Sequence, residues 1–129
     1  MSDPTPIVER QPAVRMLAMP ADTNPSGDIF GGWLMSQMDI AGGIAAAARA
    51  KGRVVTVAVE GMEFHQPVYV GDLVSCYADV VATGTTSITV KVETLARRRA
   101  GGDTVKVTEG TFVFVALDAD GRPRPVPAE

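Results

Sequence analysis

The spacing of hydrophobic residues along this chain changes at Gly52, from a helical pattern before it to alternation after it. The stretch that begins at Gly31 or Gly32 and runs to about Arg49 has no proline and is filled with Leu, Met, Gln, Ile and Ala, which favour helix. Lys51 followed by Gly52 is expected to end this helix, with the glycine as its C-terminal cap. The pattern therefore predicts one long helix.

Alternating hydrophobic residues after the helix predict four long strands, at 53–64, 68–83, 86–95 and 104–117. Gly84 and the pair Gly101-Gly102 lie where two of the turns between them should be, which suits antiparallel hairpins. Ahead of the helix, AVRMLAM at 13–19 predicts a short strand, and ADTNPSGDI at 21–29 predicts a structured loop.

One helix and long antiparallel strands make an α+β protein in which the sheet buries one face on the helix. The helix contains Gly42, Gly43 and several alanines, although each helical glycine costs about 1 kcal/mol relative to alanine. Such small residues favour a curved sheet of about five strands wrapped closely around a central helix, which is the hot-dog fold. We expect a flexible arm at 1–12, a single hot-dog domain at 13–118 and an irregular Pro-rich tail at 119–129.

Composition narrows the class of protein. Hydrophobic residues make up 46% of the chain and charged residues 21%, as in ordinary globular proteins. The net charge of -3 offers no field that would attract nucleic acid. Cys76 is the only cysteine, which fits a reducing compartment, and we find neither a signal-peptide pattern nor an apolar stretch long enough for a membrane. We expect a cytoplasmic protein that binds neither nucleic acid nor membrane.

The segment GDIFGGWLMSQMD, at 27–39, contains the strongest candidate chemistry. A helix N-terminus has unpaired N–H groups and partial positive charge, so it can stabilise a developing oxyanion. Gly31 and Gly32 would let a ligand approach that backbone closely, although a tight turn would also explain them. Asp39 follows among large apolar residues, where a carboxylate is costly unless it is paired or used.

Asp39 lies seven residues after Gly32, on the same side of the helix but roughly 10 Å along it. One amide and one carboxylate at that separation cannot act on the same carbon atom. Two antiparallel helices related by a two-fold axis would bring each Asp39 to the other Gly32. The spacing thus predicts active sites shared across a dimer interface.

The segments ADTNPSGDIFGGWLMSQMD, GRVVTVAVEGMEFHQPVYVGD and GTTS, in this order, resemble the YciA-type acyl-CoA thioesterases of the hot-dog fold, from about Arg15 to Pro125. The resemblance implies hydrolysis of acyl-CoA to a free acid and CoA without a metal or other cofactor. It also implies a dimer with a shared sheet as the minimal unit and a trimer of dimers as the assembly. Asp39 corresponds to the family's catalytic carboxylate, and Gly32 to the amide that polarises the thioester carbonyl.

Other polar residues near this segment have two interpretations each. Asn24 and Asp28 either cap the helix or orient water or the thioester. Ser36 and Gln37 are further candidates for that orienting role. His65, the only histidine, could serve as a general base, but we favour an edge or interface histidine.

Metal and paired-carboxylate chemistry are not expected from this sequence. Glu60 and Glu63 have an odd separation along one strand, which would place them on opposite faces of the sheet. One cysteine and one histidine do not make a metal site of the usual kind. Cys76 is expected to be an inert core residue among valines.

CoA carries phosphates, and the run Arg97-Arg98-Arg99, expected near Arg53 or Lys91, is the only dense basic candidate for them. A solvated charge run is the alternative. The resemblance places the segment at 85–87 near bound CoA and the pantetheine along the strand at 57–62. Met35, Met38 and Met62 line an acyl tunnel or belong to an ordinary core. The predicted substrate-binding set is Gly31, Val57, Gly61, Met62, Thr85, Thr86, Ser87, Arg97 and Arg98.

Two other functions compete with thioester hydrolysis. A hot-dog acyl-CoA hydratase normally recruits a histidine beside the helix carboxylate, and none lies near Asp39 in the sequence. A non-catalytic protein that binds or senses acyl-CoA would gain nothing from a carboxylate beside a polyphosphate ligand. We therefore expect a thioesterase in which Asp39 acts as nucleophile or general base.

Overall fold

The computed structural model describes residues 10–99 and 101–129, and within them one α-helix packs against a five-stranded antiparallel sheet. The strand order in the sheet is β1-β3-β4-β5-β2, which confirms the predicted hot-dog architecture. The elements are β1 (Val14–Leu17), a 3-10 turn (Pro20–Asp22), α1 (Gly31–Ala50), β2 (Val54–Phe64), β3 (Leu73–Thr83), β4 (Ser87–Arg97) and β5 (Thr104–Ala116).

The helix lies close to the sheet at Gly42. A Cβ built there would lie 3.1 Å from the ring of Phe114 and 3.4 Å from Val92 Cγ2, so a larger side chain would need the sheet to move. Gly43 has more room, because its nearest neighbour would be 3.8 Å away. The expectation that small helix residues permit close wrapping is therefore confirmed at Gly42.

The C-terminal cap of α1 differs from the prediction. Lys51, not Gly52, adopts the left-handed conformation, with φ of 56°. Position 52 requires glycine for a different reason, since a Cβ there would lie 2.7 Å from Arg124 Nη2. That guanidinium donates to the carbonyl oxygen of Ala50 at 2.8 Å and so places a cation where the last helical carbonyls lack partners. The glycine leaves space for Arg124.

Strand β2 contains two β-bulges, where its register with β5 shifts. The second bulge, at Gly61 with φ of 60°, places Glu60 opposite Thr111 and Glu63 opposite Glu109. Thr111 and Glu109 are two residues apart on β5, so the two glutamates of β2 share one face. The prediction that they face opposite sides was wrong, because the bulge inserts one extra residue between them.

The two ends of β4 are far apart, since its 11 residues extend over roughly 33 Å. The N-terminal end of α1 lies at the Arg97 end, where Leu34 packs in one cluster with Ala96 and Val107. Arg53 lies at the other end of β4, because its carbonyl accepts the N–H of Leu117. Leu117 follows the part of β5 that pairs with Ser87, the first residue of β4. The expectation that Arg53 lies near the arginine run at 97–99 was therefore wrong.

The chain termini were predicted as a flexible arm and an irregular tail. Residues 1–9 of the arm lie outside the described residues, whereas Arg10 donates to Asp79 at 2.7 Å and to Glu93 at 3.1 Å. In the tail, Val126 donates its N–H to Thr85 at 2.8 Å. Among the described residues, no helix is both long and apolar enough to cross a membrane.

Candidate active site

The first two residues of α1 have free backbone N–H groups. The N-cap is Phe30, which makes no side-chain capping hydrogen bond, and its carbonyl accepts from Trp33 at 3.1 Å and Leu34 at 3.3 Å. Within the described parts of the chain, no group accepts from Gly31 or Gly32. A Cβ built on Gly32 would meet no atom within 4 Å. Gly32 therefore has an unpaired N–H with partial positive charge, and no other residue crowds this glycine where a side chain would lie.

Asp39 is half-buried and has one partner on the sheet. Thr56 Oγ1 donates to Asp39 Oδ1 at 2.6 Å, and no described residue hydrogen-bonds to Asp39 Oδ2. Thr56 lies opposite Phe114, immediately before the first bulge of β2. The hydroxyl thus fixes the carboxylate while one oxygen stays available to a substrate or water.

Thr56 is a residue that sequence reasoning missed. In the alternating pattern of β2 it is one polar position among several, without a spacing that marks it as functional. Only the register between β2 and α1 brings its hydroxyl to Asp39. The only signal available in the sequence would have been a hydroxyl side chain at an inward position of the strand that follows the helix.

A cavity of about 330 Å³ lies beside the start of α1, lined by Asn24, Asp28, Ile29, Gly31, Leu34, Phe64, His65, Gln66, Pro67 and Val68. It brings together three of the predicted site residues, Asn24, Asp28 and Gly31. Asn24 Oδ1 accepts the N–H groups of Ser26 at 2.9 Å and Asp28 at 3.1 Å, which orients the amide. Asn24 Nδ2 has no acceptor among the described residues, and neither Asn24 nor Asp28 caps the helix.

His65 belongs to a charged network outside the helix. Its Nε2 lies 3.2 Å from Glu109 Oε2 and 3.7 Å from Glu63 Oε1, because the second bulge brings Glu63 to this face. Lys106 Nζ lies 2.8 Å from Glu109 Oε1, and this hydrogen bond, followed by that of His65, lowers the pKa of Glu109. These contacts agree with the interpretation of His65 as an edge histidine.

The side chains of Glu63, His65 and Glu109 lie close enough together to hold a metal ion, with their ligand atoms within 4.8 Å of one another. The numbers of cysteines and histidines in the sequence do not predict this grouping, since it depends on the second bulge of β2. The Lys106 ammonium already neutralises charge at Glu109 and opposes a second cation there. We therefore interpret the group as an ion-pair network.

The three consecutive arginines have different surroundings. Arg98 Nη1 donates to Asp72 Oδ2 at 2.5 Å and to the carbonyl oxygen of Pro67 at 3.0 Å. Arg97 and Arg99 are exposed and pair with no described acidic residue. Of the predicted phosphate-binding pair, Arg97 thus has a free guanidinium and Arg98 does not.

The other predicted substrate-binding residues lie apart from one another. Thr85, Thr86 and Ser87 lie at the opposite end of β4 from Arg97, so one chain does not bring these groups together. Val57 lies at the first bulge of β2 and Gly61 at the second. Met62 packs over Gly110, where a Cβ would lie 2.9 Å from Met62 Cε, and Met38 is fully buried. These two methionines belong to the core in this structure.

Large apolar side chains are exposed on both β2 and α1. Val55, Val57 and Val59 are 42%, 54% and 40% exposed on a strand whose outer edge has no described partner. Ile40 and Ile44 on the helix are 53% and 50% exposed. An apolar edge strand beside an apolar helix face is typical of a surface that another chain covers.

Comparison with known proteins gives concordant matches. The family model described as the thioesterase superfamily matches residues 26–106. The chain is 58% identical over 119 residues to the acyl-CoA thioester hydrolase YciA of Salmonella typhimurium, and the match covers 90% of both chains.

Two solved structures are similar over nearly the whole chain. A hexameric thioesterase from Yersinia pestis is 52% identical with a TM-score of 0.88, covering 93% of this chain and 98% of that one. A hexameric broad specificity acyl-coenzyme A thioesterase is 50% identical with a TM-score of 0.86, covering 93% and 83%.

Proposed function

Since this chain belongs to the thioesterase superfamily and to its YciA-type acyl-CoA thioester hydrolases, we propose that Asp39 and the Gly32 N–H carry out hydrolysis of an acyl-CoA thioester to a carboxylic acid and CoA. The supporting observation is the 58% identity to such a hydrolase, which extends over 90% of both chains. The open N–H at the start of α1 and the oriented carboxylate of Asp39 supply the groups that this reaction needs.

The proposed active site is shared between two copies of the chain. Gly32 and Asp39 lie two turns apart on one helix, too far to reach the same carbon atom. The apolar surface formed by β2 and α1 provides the area on which a second copy would pack. Because the similar solved structures are hexameric, we infer a trimer of such dimers for this chain.

In the proposed reaction, the thioester oxygen lies against the Gly32 N–H of one subunit, next to Asn24 Nδ2. Asp39 of the other subunit removes a proton from an attacking water, and the carbonyl carbon becomes tetrahedral. Collapse of this intermediate breaks the carbon–sulfur bond and releases CoA as a thiolate, which takes up the proton held by Asp39. Direct attack by Asp39 would instead expel the CoA thiolate and form an anhydride, which water then hydrolyses to the carboxylic acid and free Asp39. Neither route uses a metal or other cofactor.

Thr56 is proposed to hold Asp39 in the orientation that this reaction requires. Thr56→Val keeps the β-branched shape but removes the hydroxyl that donates at 2.6 Å to Asp39 Oδ1. We expect kcat to fall about tenfold with little change in KM, because a mispositioned base acts mainly on the chemical step. Thr56→Ser is the matched control and should retain most of kcat. Equal rates for Thr56→Val and wild type would contradict a role in positioning Asp39.

Residues from both subunits are proposed to bind CoA. In one chain, Arg97 and the segment at 85–87 lie at opposite ends of the sheet. In one subunit, Gly32 and Arg97 lie at the same end of the sheet. If the two helices of a dimer are antiparallel, this end lies beside the end of the partner that carries the segment at 85–87. We propose that Arg97 and Arg99 bind CoA phosphates from one subunit, while Thr85, Thr86 and Ser87 contribute from the other. Gly31, Val57 and Gly61 would border the pantetheine, whereas Met62, also expected there, packs in the core.

The phosphate contacts have a direct test. Changing Arg97 and Arg99 together to Ser should raise KM for an acyl-CoA about tenfold, because two charge-assisted contacts are lost. A short acyl-pantetheine thioester lacks the nucleotide phosphates and should show little change in KM. Lys91→Ser, on an exposed position in the middle of β4, controls for the loss of surface charge. Similar losses on both thioesters would contradict the phosphate-binding role.

The release of free thiol from acyl-CoA tests the hydrolase function itself. Purified protein should release one thiol per acyl-CoA consumed, measured with a thiol reagent over a panel of acyl chain lengths. A hydratase would consume an enoyl-CoA without releasing thiol, and a sensor would bind acyl-CoA without turnover. Either result would overturn the proposed function. We further propose that the enzyme acts in the cytoplasm, in keeping with its single reduced cysteine.

A further inference from the structure

We propose that Arg98 is a positioning residue that holds the start of α1 in place for catalysis, rather than a ligand of CoA phosphate. This inference rests on the proposed function for its kinetic consequence. Its structural part concerns only contacts within one chain.

The guanidinium of Arg98 is occupied by a buried carboxylate. Asp72 is only 2% exposed, and its Oδ2 accepts from Arg98 Nη1 at 2.5 Å. The same guanidinium lies over the ring of Tyr69, 5.0 Å from its centroid, and donates to Pro67. A buried carboxylate that loses its cation is left with an uncompensated charge, so the pair is costly to break. Arg98 is therefore poorly available to a phosphate.

Asp72 in turn fixes the segment at 67–72, which joins β2 to β3. Its Oδ2 also accepts the N–H of Tyr69 at 2.9 Å, and its own N–H donates to the carbonyl of Tyr69 at 3.0 Å. On the other side, the N–H of Ala18 donates to the carbonyl of Asp72 at 3.0 Å. Arg98 and Asp72 thus hold this segment from both its beginning, at Pro67, and its end.

The segment reaches the start of the helix through Val68. The N–H of Ile29 donates to the carbonyl of Val68 at 3.0 Å, and both side chains are buried, at 5% and 1% exposure. Ile29 is two residues before Gly31, and Pro67 and Val68 line the same cavity as Gly31. Displacement of this segment would therefore move the backbone that leads into Gly32. A shift of about 1 Å in a reacting group can cost up to a hundredfold in rate.

Arg97 is the matched control for Arg98. It is the neighbouring residue with the same side chain, but it is exposed and has no described acidic partner. A variant of Arg97 removes the same charge and side-chain length from the same end of β4. Only the variant of Arg98 breaks the contact with the buried Asp72.

The kinetic experiment compares Arg98→Met, Arg97→Met and Asp72→Asn on an acyl-CoA and on the corresponding acyl-pantetheine. Arg98→Met and Asp72→Asn should each lower kcat about tenfold on both thioesters, whereas Arg97→Met should act on KM for acyl-CoA alone. Arg98→Lys should recover part of kcat, because it returns a cation to Asp72. An Arg98→Met variant that raises KM for acyl-CoA and spares acyl-pantetheine would overturn the proposal, as would full kcat in Asp72→Asn.

A second measurement is independent of the reaction. Amide hydrogen exchange at Ile29 should become about tenfold faster in Arg98→Met and stay unchanged in Arg97→Met, while exchange in β4 and β5 remains slow in both. Faster exchange throughout the protein would indicate general destabilisation and would contradict a specific effect on this segment. If the wild-type protein released no thiol from either thioester, the proposed function would fail, and the exchange data would still decide the structural role of Arg98.

Discussion

Asp39→Asn is expected to lower kcat for acyl-CoA hydrolysis roughly a hundredfold or more, with KM for acyl-CoA close to that of the wild type. The asparagine keeps the shape of the side chain and can still accept from Thr56, whose hydroxyl lies 2.6 Å from Asp39 Oδ1. It can neither attack a thioester carbon nor remove a proton from water. Initial rates of thiol release over a range of acyl-CoA concentrations would separate kcat from KM.

Two other residues control for that experiment. Glu63→Gln removes an exposed carboxylate from the network around His65, and His65→Asn removes the histidine itself. Both should have mild effects on kcat, because the contacts of these side chains are with each other and with Glu109, not with Asp39 or Gly32. If folded Asp39→Asn retained most of its turnover, the proposed mechanism would be wrong. Asp28, which lines the cavity beside Gly31, would then be the next carboxylate to test.

Mixing two inactive variants is expected to restore activity. Asp39→Ala removes the carboxylate, and Gly32→Val blocks the approach to the amide, at a position where a Cβ meets no atom of the chain itself within 4 Å. Each variant alone should be inactive. In a mixed dimer, one of the two sites combines an intact Asp39 with an intact Gly32. Equal mixing of freely exchanging subunits should therefore recover about a quarter of the wild-type activity.

The measurement requires proof that subunits exchange. Subunits with different tags can be mixed, purified through both tags and assayed for thiol release, so that only mixed oligomers are counted. Mixed oligomers without activity would show that each site lies within one chain. That result would leave the exposed face of β2 and α1 as an interface but would remove its catalytic role.

The sequence predicted the helix and the strands well because both depend on local periodicity. Ile88, Val90 and Val92 alternate along β4, and all three are fully buried. The open N–H of Gly32 also follows from local information, since Phe30 at the N-cap makes no side-chain capping hydrogen bond. Local patterns therefore predict which residues form an element and which face of it is buried.

Features that depend on how elements pair were not predictable in this way. The contact of Thr56 with Asp39 requires the register between a helix and a strand. The pairing of Arg98 with Asp72 joins residues 26 positions apart, and Arg97 and Arg99 have no comparable partner in the part of the chain that the structure describes. Neither contact produces a periodic signal, although both concern residues that the proposed reaction depends on.

The two bulges of β2 have a consequence for how this strand tolerates changes in length. Before the first bulge the inward residues have even numbers, such as Thr56 opposite Phe114, and between the bulges Val59 lies opposite Phe112. After the second bulge Phe64 lies opposite Thr108, so even numbers face inward again. Each bulge thus adds to β2 one residue that has no partner on β5. Deleting one residue at either bulge would leave the other residues of β2 with their present partners and faces, whereas a deletion elsewhere in the strand would invert the stretch beyond it, so single-residue length changes in homologous chains should occur at these two positions.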